Sequence, residues 1–398
     1  MNSSEHEIVI AGGGICGLAT ALALHRKGIK SIVLERSDTL RATGAAINVY
    51  PNGWRALDYL GIGSELRKKC VPITKIVDLY DGRRREVPIG KGELRSLKRS
   101  DLMHTLANHL PNETILFGQR VISVETNPEA GFPILHCVDG TIINCKVLIG
   151  CEGVNSIVAK SLGLKAPKNL SICAIRAFTS YPNGHGFTNE FVRMKRGSFT
   201  IGFLPINEKV VHWFVGRPWI SKDSMAEKDC TLLRDLTIDM MEGFPSHLID
   251  MVWRVDLDSL GLTCVRYRPP WDLALGTFRR GTTVVAGDAM HVIAPFIGQG
   301  GSAAIEDAIV LTRGLACAFR GSDGGDWDRM MKVRVERAMD EYLKERKMRL
   351  MRLSMQTYLL GLMFVVPSKI VKLVIIFTLL AFFGLNSLGH AQYDCGPL

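Results

Sequence analysis

The stretch EIVIAGGGICGLATALALHRKG, residues 7–28, constrains the fold more than any other part of the chain. An apolar run from Ile8 to Ile10 is followed by Gly12, Gly14 and Gly17 in GxGxxG spacing, then by an alanine- and leucine-rich helix ending near Gly28. SIVLERSD comes next as a second strand closed by Glu35. Strand, tight turn, helix and a strand ending in a carboxylate make the full dinucleotide-binding fingerprint. Gly12 permits the turn, Gly14 lets a pyrophosphate approach the backbone, and Gly17 lets helix and strand pack closely. The helix amino terminus offers free N–H groups and a favourable dipole to the phosphates, and Glu35 is placed to accept from the adenosine ribose. The motif leaves both FAD and NAD open, because both use it.

A chain of 398 residues, 47% hydrophobic and 22% charged, is that of a globular protein of two domains or one large composite. Its formal charge of +10 suits an anionic partner, a phosphorylated cofactor or an acidic membrane surface, or else a solvated basic face. Much of the excess lies in MKVRVERAMDEYLKERKMRLMRL, with a further run at Arg83, Arg84 and Arg85. No zinc-finger spacing or aromatic RNA-binding signature accompanies these charges, which argues against a nucleic-acid partner. Ten cysteines without a CxxC pair or metal-ligand spacing imply no metal site and reduced, mostly buried thiols in the cytoplasm. The first strand begins too early for a signal or transit peptide to precede it.

Toward the other end, residues 373–393 carry no Asp, Glu, Lys or Arg, but the strongly apolar part, residues 373–385, is shorter than a bilayer span. YLLGLMFVV, just before it, is cut off by Pro367 and Lys369. The tail is expected as helices packed on the protein or lying at a membrane interface as a peripheral contact.

Between these ends, VDLYDGRRREVPI around Asp81 and ILHCVDGTIINCKVLIGCEG around Asp139 are hairpin signals. From about Ser171 to Leu262 spaced aromatic and β-branched runs, including SFTIGFLPI and VVHWFVG, predict a sheet-rich insert. The chain then returns at VVAGDAMHVIAPFIGQGGSAAIEDA, where a strand stops at Asp288 and is followed by Pro295, Gly298, Gln299, Gly300 and Gly301. So many special residues exceed what an ordinary strand-to-helix loop needs.

Taken together, AGGGICGLATALAL with Glu35, LKRSDLMHTLA, VLIGCEGVNSIVAKSLG and VVAGDAMHVIAPFIGQGGSAAIEDA resemble the group A flavin monooxygenases of the aromatic hydroxylase fold. The likeness is to salicylate hydroxylase-like proteins and to the plant monooxygenases related to zeaxanthin epoxidase, in order over nearly the whole chain. It implies an α/β fold with an α+β insert: a Rossmann-type FAD-binding domain in three parts (residues 1–75, 96–170 and 268–335), a hairpin at 76–95, a sheet-rich substrate domain at 171–267, and carboxyl-terminal helices at 336–398.

By the same resemblance Gly12, Gly14, Gly17 and Glu35, with Arg36 beside it, hold the ADP half of FAD. Arg99 approaches the phosphates, Val121 lies on the strand near the adenine, and Gly287 with Asp288 meets the ribityl chain. Pro295, Gly298 and Gly300 bring backbone to the flavin ring. The family's middle motif, linked to FAD and to reduced nicotinamide, puts Glu152 among the cofactor-binding residues; the chain departs from the pattern there, where Asp is usual, and at Lys160, where Arg is usual, so nicotinamide handling is the least secure carry-over. The implied reaction uses NAD(P)H and O2 to hydroxylate a small phenolic acid through a hydroperoxyflavin, with epoxidation or hydroxylation of an apolar isoprenoid-type ring as the alternative. A non-oxygenating flavin reductase and a non-catalytic, membrane-associated flavin binder remain open. His212 and Gln299 are substrate-side candidates. His212 and His291 are the histidines of the right type for a general base, and no catalytic residue is assigned.

Overall fold

The computed structural model describes residues 3–40, 46–80, 82–90, 92–320, 329–384 and 388–398. Two large sheets organise its mixed α/β fold. In the first, Ser3–Ala11 lies between Ile142–Gly150 and Ile32–Leu34, parallel to both, and Thr283–Val285 and Ile115–Leu116 extend the sheet outward. Parallel strands are covered on both faces, so IVIA and VLIG are apolar without alternation. Helices Ile15–Arg26 and Gly300–Phe319 pack against one another and contribute to the same core. The Asp139-Gly140 turn closes a hairpin in which Pro133–Cys137 pairs with Ile142–Gly150.

The second sheet runs Gly261–Tyr267, Lys168–Ser180, Val210–Pro218, Phe199–Pro205, Glu190–Arg196, Lys75–Tyr80, Arg83–Pro88. The hairpin of the last two strands is therefore part of this sheet, joined by parallel pairing to Glu190–Arg196. Asp81, expected at its turn, lies outside the described residues. Side chains alternate across each strand. One face, with Ile175, Ala177, Ile201, Phe203, Trp213 and Val215, packs on helices Cys230–Asp239 and Ser246–Trp253. The opposite face, through Phe191, Leu204 and Phe214, meets Tyr50, Leu94 and Ala391. A small sheet of Ala46–Val49, Leu94–Lys98 and Pro72–Ile73 lies beside this contact.

The basic stretch forms Arg329–Val365, a continuous helix of 37 residues that packs on Gly300–Phe319. It runs through the expected boundary at 335/336, because no proline interrupts it before Pro367. Helix Lys369–Phe383 follows, and Ile375 is its one buried residue. Among the described residues no helix is long and apolar enough to cross a membrane. The chain then returns to the body: Arg55 donates to the Tyr393 carbonyl at 2.8 Å, Arg313 to the Cys395 carbonyl at 2.6 Å, and the Tyr59 hydroxyl to Asp394 at 3.0 Å.

Candidate active site

At the first glycine turn, Gly12 has φ +102°, and a Cβ there would lie 2.6 Å from the Cys151 carbonyl oxygen. A Cβ on Gly17 would collide with the Gly12 carbonyl, so helix and strand meet backbone to backbone. At Gly14, by contrast, a Cβ would meet nothing within 4 Å, and no side chain caps the helix that begins there. Glu35 is held at the rim: its two carboxylate oxygens accept from Gly13 N and Ser37 N, each at 2.9 Å. Arg36 beside it is exposed. The result is an open, amide-lined concavity with a carboxylate at its edge, which suits an anionic group and a neighbouring diol.

The second glycine turn touches the first. Gly287 has φ +61°, and a Cβ on it would lie 2.8 Å from the Cys16 side chain. Asp288 is exposed, while Ala289, Met290 and His291 after it are buried. Pro295 opens a short 3-10 turn, and Gly298 ends it in the left-handed region at φ +63°, facing the Tyr50 ring. Gly300 begins helix Gly300–Phe319, and a side chain on Gly301 would run into Ile47.

Behind this loop lies a buried ionic network absent from the sequence reading. One Asp307 oxygen accepts from Gly287 N at 3.0 Å and pairs with His291 Nε2 at 2.7 Å, and the other accepts from Arg346 Nε at 2.7 Å. Glu306 accepts from Arg346 Nη2 and from Asn52 Nδ2, both at 2.6 Å, and Asn52 also donates to Gln299 Oε1 at 2.8 Å. His291, Gln299, Glu306, Asp307 and Arg346 are all 0% exposed. Burial alone would raise the Asp307 carboxyl, but His291 and Arg346 outweigh it and hold the group below its ordinary range. His291 is thus committed to Asp307, and Gln299 is held from behind the loop by Asn52. The overlooked signal was GSAAIEDAIVL, where two adjacent carboxylates are surrounded by apolar positions and have no solvated face.

Glu152 turns back on its own loop, accepting from the Ser156 hydroxyl at 2.6 Å and from Ile157 N and Val158 N at 3.0 Å. Burial raises its pKa against those bonds. The extra methylene relative to Asp lets the carboxylate reach the first amides of helix Ile157–Ser161, and the Glu152 backbone lies against Gly12. Lys160 is exposed on that helix, and Val121 sits half-buried on an edge strand paired with Cys137.

The second sheet presents one row of Arg176, Phe214, Gly202, Arg193 and Asp78, and beside it a row of Phe178, His212, Leu204, Phe191 and Ile76. His212 lies 5.5 Å from the Phe178 ring and 6.3 Å from the Phe214 ring. Its Nδ1 is 3.1 Å from the Ala177 carbonyl, which can only accept, so Nδ1 carries the hydrogen and Nε2 is left as an acceptor. Burial lowers its pKa to about 4. Lys98 lies over the Phe178 ring at 5.7 Å. Burial and then the nearby charge of Arg99 both lower the Arg176 pKa, and among the described residues neither arginine has a carboxylate partner.

The comparisons agree with this geometry. The family model described as an FAD binding domain matches residues 5–329. Monooxygenase 1 of Arabidopsis thaliana is 46% identical over 99% of this chain and 100% of its own length, and Monooxygenase 2 of the same plant is 34% identical over 98% of each. The chain belongs to the group A FAD-dependent monooxygenases. Among solved structures, Klebsiella pneumoniae HpxO complexed with FAD and uric acid matches with a TM-score of 0.79 at 21% identity, covering 98% of both chains. 2-Methyl-3-hydroxypyridine-5-carboxylic acid oxygenase matches at 0.75 and 20%, covering 98% of this chain and 97% of that one. These two show the aromatic hydroxylase-like fold.

The monooxygenase's own residues fit FAD. Its first turn offers uncapped helix amides beside Glu35. Gln299 Nε2 on the glycine loop, Ser302 Oγ in the first turn of the helix after it, Asn48 Oδ1 on the small sheet and Arg99 Nε at the start of helix Arg99–Asn108 are buried without a partner. Native proteins rarely leave such atoms unpaired, and a polar cofactor supplies what they lack.

Proposed function

We propose that this monooxygenase hydroxylates a small aromatic acid, with NAD(P)H as reductant and O2 as the oxygen source. The observation that carries the reading is a cation set among rings on one sheet face: Arg176, without a carboxylate partner, beside Phe178, His212 and Phe214. A largely buried guanidinium without a carboxylate favours an anion beside it, and the rings accept an aromatic body.

Gly12, Gly14, Gly17 and Glu35, with Arg36 alongside, hold the adenosine and pyrophosphate half of FAD, and Val121 lies toward the adenine. Arg99 neutralises phosphate, Asp288 accepts from the ribityl hydroxyls, and Pro295, Gly298 and Gly300 bring backbone to the flavin ring. FAD supplies the activation of dioxygen when bound, and the protein binds, orients and excludes water. His212 serves as an acceptor for a substrate hydroxyl rather than as a proton store, since a group titrating near 4 binds no proton at neutral pH. Glu152 contributes its backbone only.

An apolar ring of the isoprenoid type is the second reading, favoured by the exposed apolar helix Lys369–Phe383. The ten free cysteines suit a reducing, cytoplasmic setting with a peripheral membrane contact. The deciding experiment measures the flavin spectrum of the purified protein and oxygen uptake with NADPH or NADH across a panel of phenolic acids and apolar rings. A phenolic acid is expected to accelerate uptake and yield hydroxylated product. Bound flavin with no ligand-dependent uptake defeats the reading.

A further inference from the structure

The row Arg193, Gly202, Phe214, Arg176 does not end at the candidate site. On the same sheet face, Asp78, Tyr80, Arg193, Lys195 and Thr200 line a groove of about 540 Å³, closed on one side by Phe364. Phe364 lies in the last turn of the long helix and makes two further contacts. Its ring stacks on Phe296 of the second glycine loop at 5.4 Å, and Lys195 Nζ lies over it at 4.9 Å. Arg193 lies over the Phe191 ring at 5.4 Å, Phe191 shares a core cluster with Tyr50, and Tyr50 faces Gly298. The groove and the glycine loop therefore share walls.

Directly after Phe364 the chain turns at Pro367 into helix Lys369–Phe383. Leu373 is 67% exposed, Phe377 74% and Phe382 72%. This helix is apolar all round rather than along one stripe, which suits immersion in hydrocarbon better than docking in a protein groove. At about 22 Å it is too short to cross the bilayer core. Cations gather at its root: Lys369 and Lys372 begin it, and Lys195 lies over Phe364; farther back along the preceding helix Lys168 lies over Trp271, which packs edge-on to Tyr358. That is the residue usage of a membrane interface carrying negative lipid.

We propose that helix Lys369–Phe383 rests in one leaflet of an anionic membrane and that the groove beside Phe364 is the port through which an apolar ring acid passes from that surface to the sheet face bearing Arg176 and Phe214. Lys195 receives the acid group, since Arg193 is held by both oxygens of Asp78 at 2.7 and 2.9 Å, and Phe364 and Tyr80 receive the ring. The ring-acid reading above supplies only the ligand's chemistry; the tests below need no turnover, so the port and the reaction can fail separately.

The holoenzyme is expected to float with phosphatidylglycerol-containing vesicles and far less with phosphatidylcholine alone. Leu373→Asp with Phe377→Asp, both exposed, is expected to cut partitioning at least about a hundredfold, since two large apolar side chains leave the lipid. In the port test, dansylundecanoate, a fluorescent apolar carboxylate, is expected to bind saturably, with affinity falling about tenfold or more in Lys195→Glu and being kept in Lys195→Arg. The membrane half is overturned if the protein does not float, or if sedimentation shows a dimer that the same double variant abolishes and no lipid binding. The port is overturned if Lys195→Glu binds the probe as the natural protein does, or if the uncharged amide of the probe binds equally.

Discussion

Residues 12–17 and 287–301 each turn a buried parallel strand into a helix through glycines, yet they are held in place differently. The first turn rests on backbone contact alone, with Gly12 against Cys151 and Gly17 against Gly12. The second is held from behind by side chains, the Asp307, Glu306 and Arg346 cluster reaching forward through His291, Gly287 and Asn52. A backbone-held turn fixes residue type at single positions. A network-held turn spreads its requirement over residues far apart in sequence, and each looks ordinary alone.

The sharpest way to break this comparison is at Arg346. Arg346→Leu removes the guanidinium shared by two fully buried carboxylates and is expected to lower unfolding stability by about 3–5 kcal/mol, read by chemical denaturation. The matching change in the first turn, Gly12→Ala, adds a Cβ at positive φ against Cys151, and is expected to cost about 2–4 kcal/mol and to release flavin. Equal losses with flavin retained in Gly12→Ala would mean the first turn is not a backbone-held site.

The pH dependence separates the network from the second sheet. Burial takes His212 and His390 down to about 4 from the ordinary 6.5. The unfolded chain gains protons as pH falls below 6.5 and the folded chain does not until near 4, so stability present above 6.5 is lost through that window, about 3 kcal/mol for His212. Asp307, held below its ordinary value of 3.8, stays ionised throughout. His212→Gln is expected to flatten the denaturation midpoint between pH 6.5 and 4 by that share, whereas an unchanged slope would place the titration elsewhere. The smallest expected stability effect is at Gly14→Ala, within about 0.5 kcal/mol because its Cβ enters open space. Flavin content measured by absorbance should nonetheless fall. If it does not, the open space at Gly14 is not where phosphate lies.

The same contrast sets what could be read from the chain. GxGxxG with Glu35 was legible because sterics dictate each residue locally, and the second turn was legible through its glycines. Arg346 sat in a helix recognised as charged, but nothing local distinguishes it from Arg337, which is 81% exposed on its side chain. Pairing across about forty residues is a property of packing, and periodicity does not record it. At Glu152 the departure from Asp was visible, but its outcome depended on the backbone amides of Ile157 and Val158 coming within reach. The row of Arg176, Phe214 and Arg193 needed strand register, which a list of apolar runs does not give.

The Arg346 cluster also bears on where this fold can be cut. The family match stops at residue 329, whereas the guanidinium that neutralises Glu306 and Asp307 lies beyond it, in the following helix. A fragment ending at the match would lose the guanidinium that bonds both buried carboxylates, leaving Asp307 to His291 and Glu306 to Asn52, so the segment matched by the family model is shorter than the segment these bonds require. Transplanting this flavin domain into another protein therefore requires carrying along a helix that lies beyond the family match yet packs on the second glycine loop, Phe364 against Phe296.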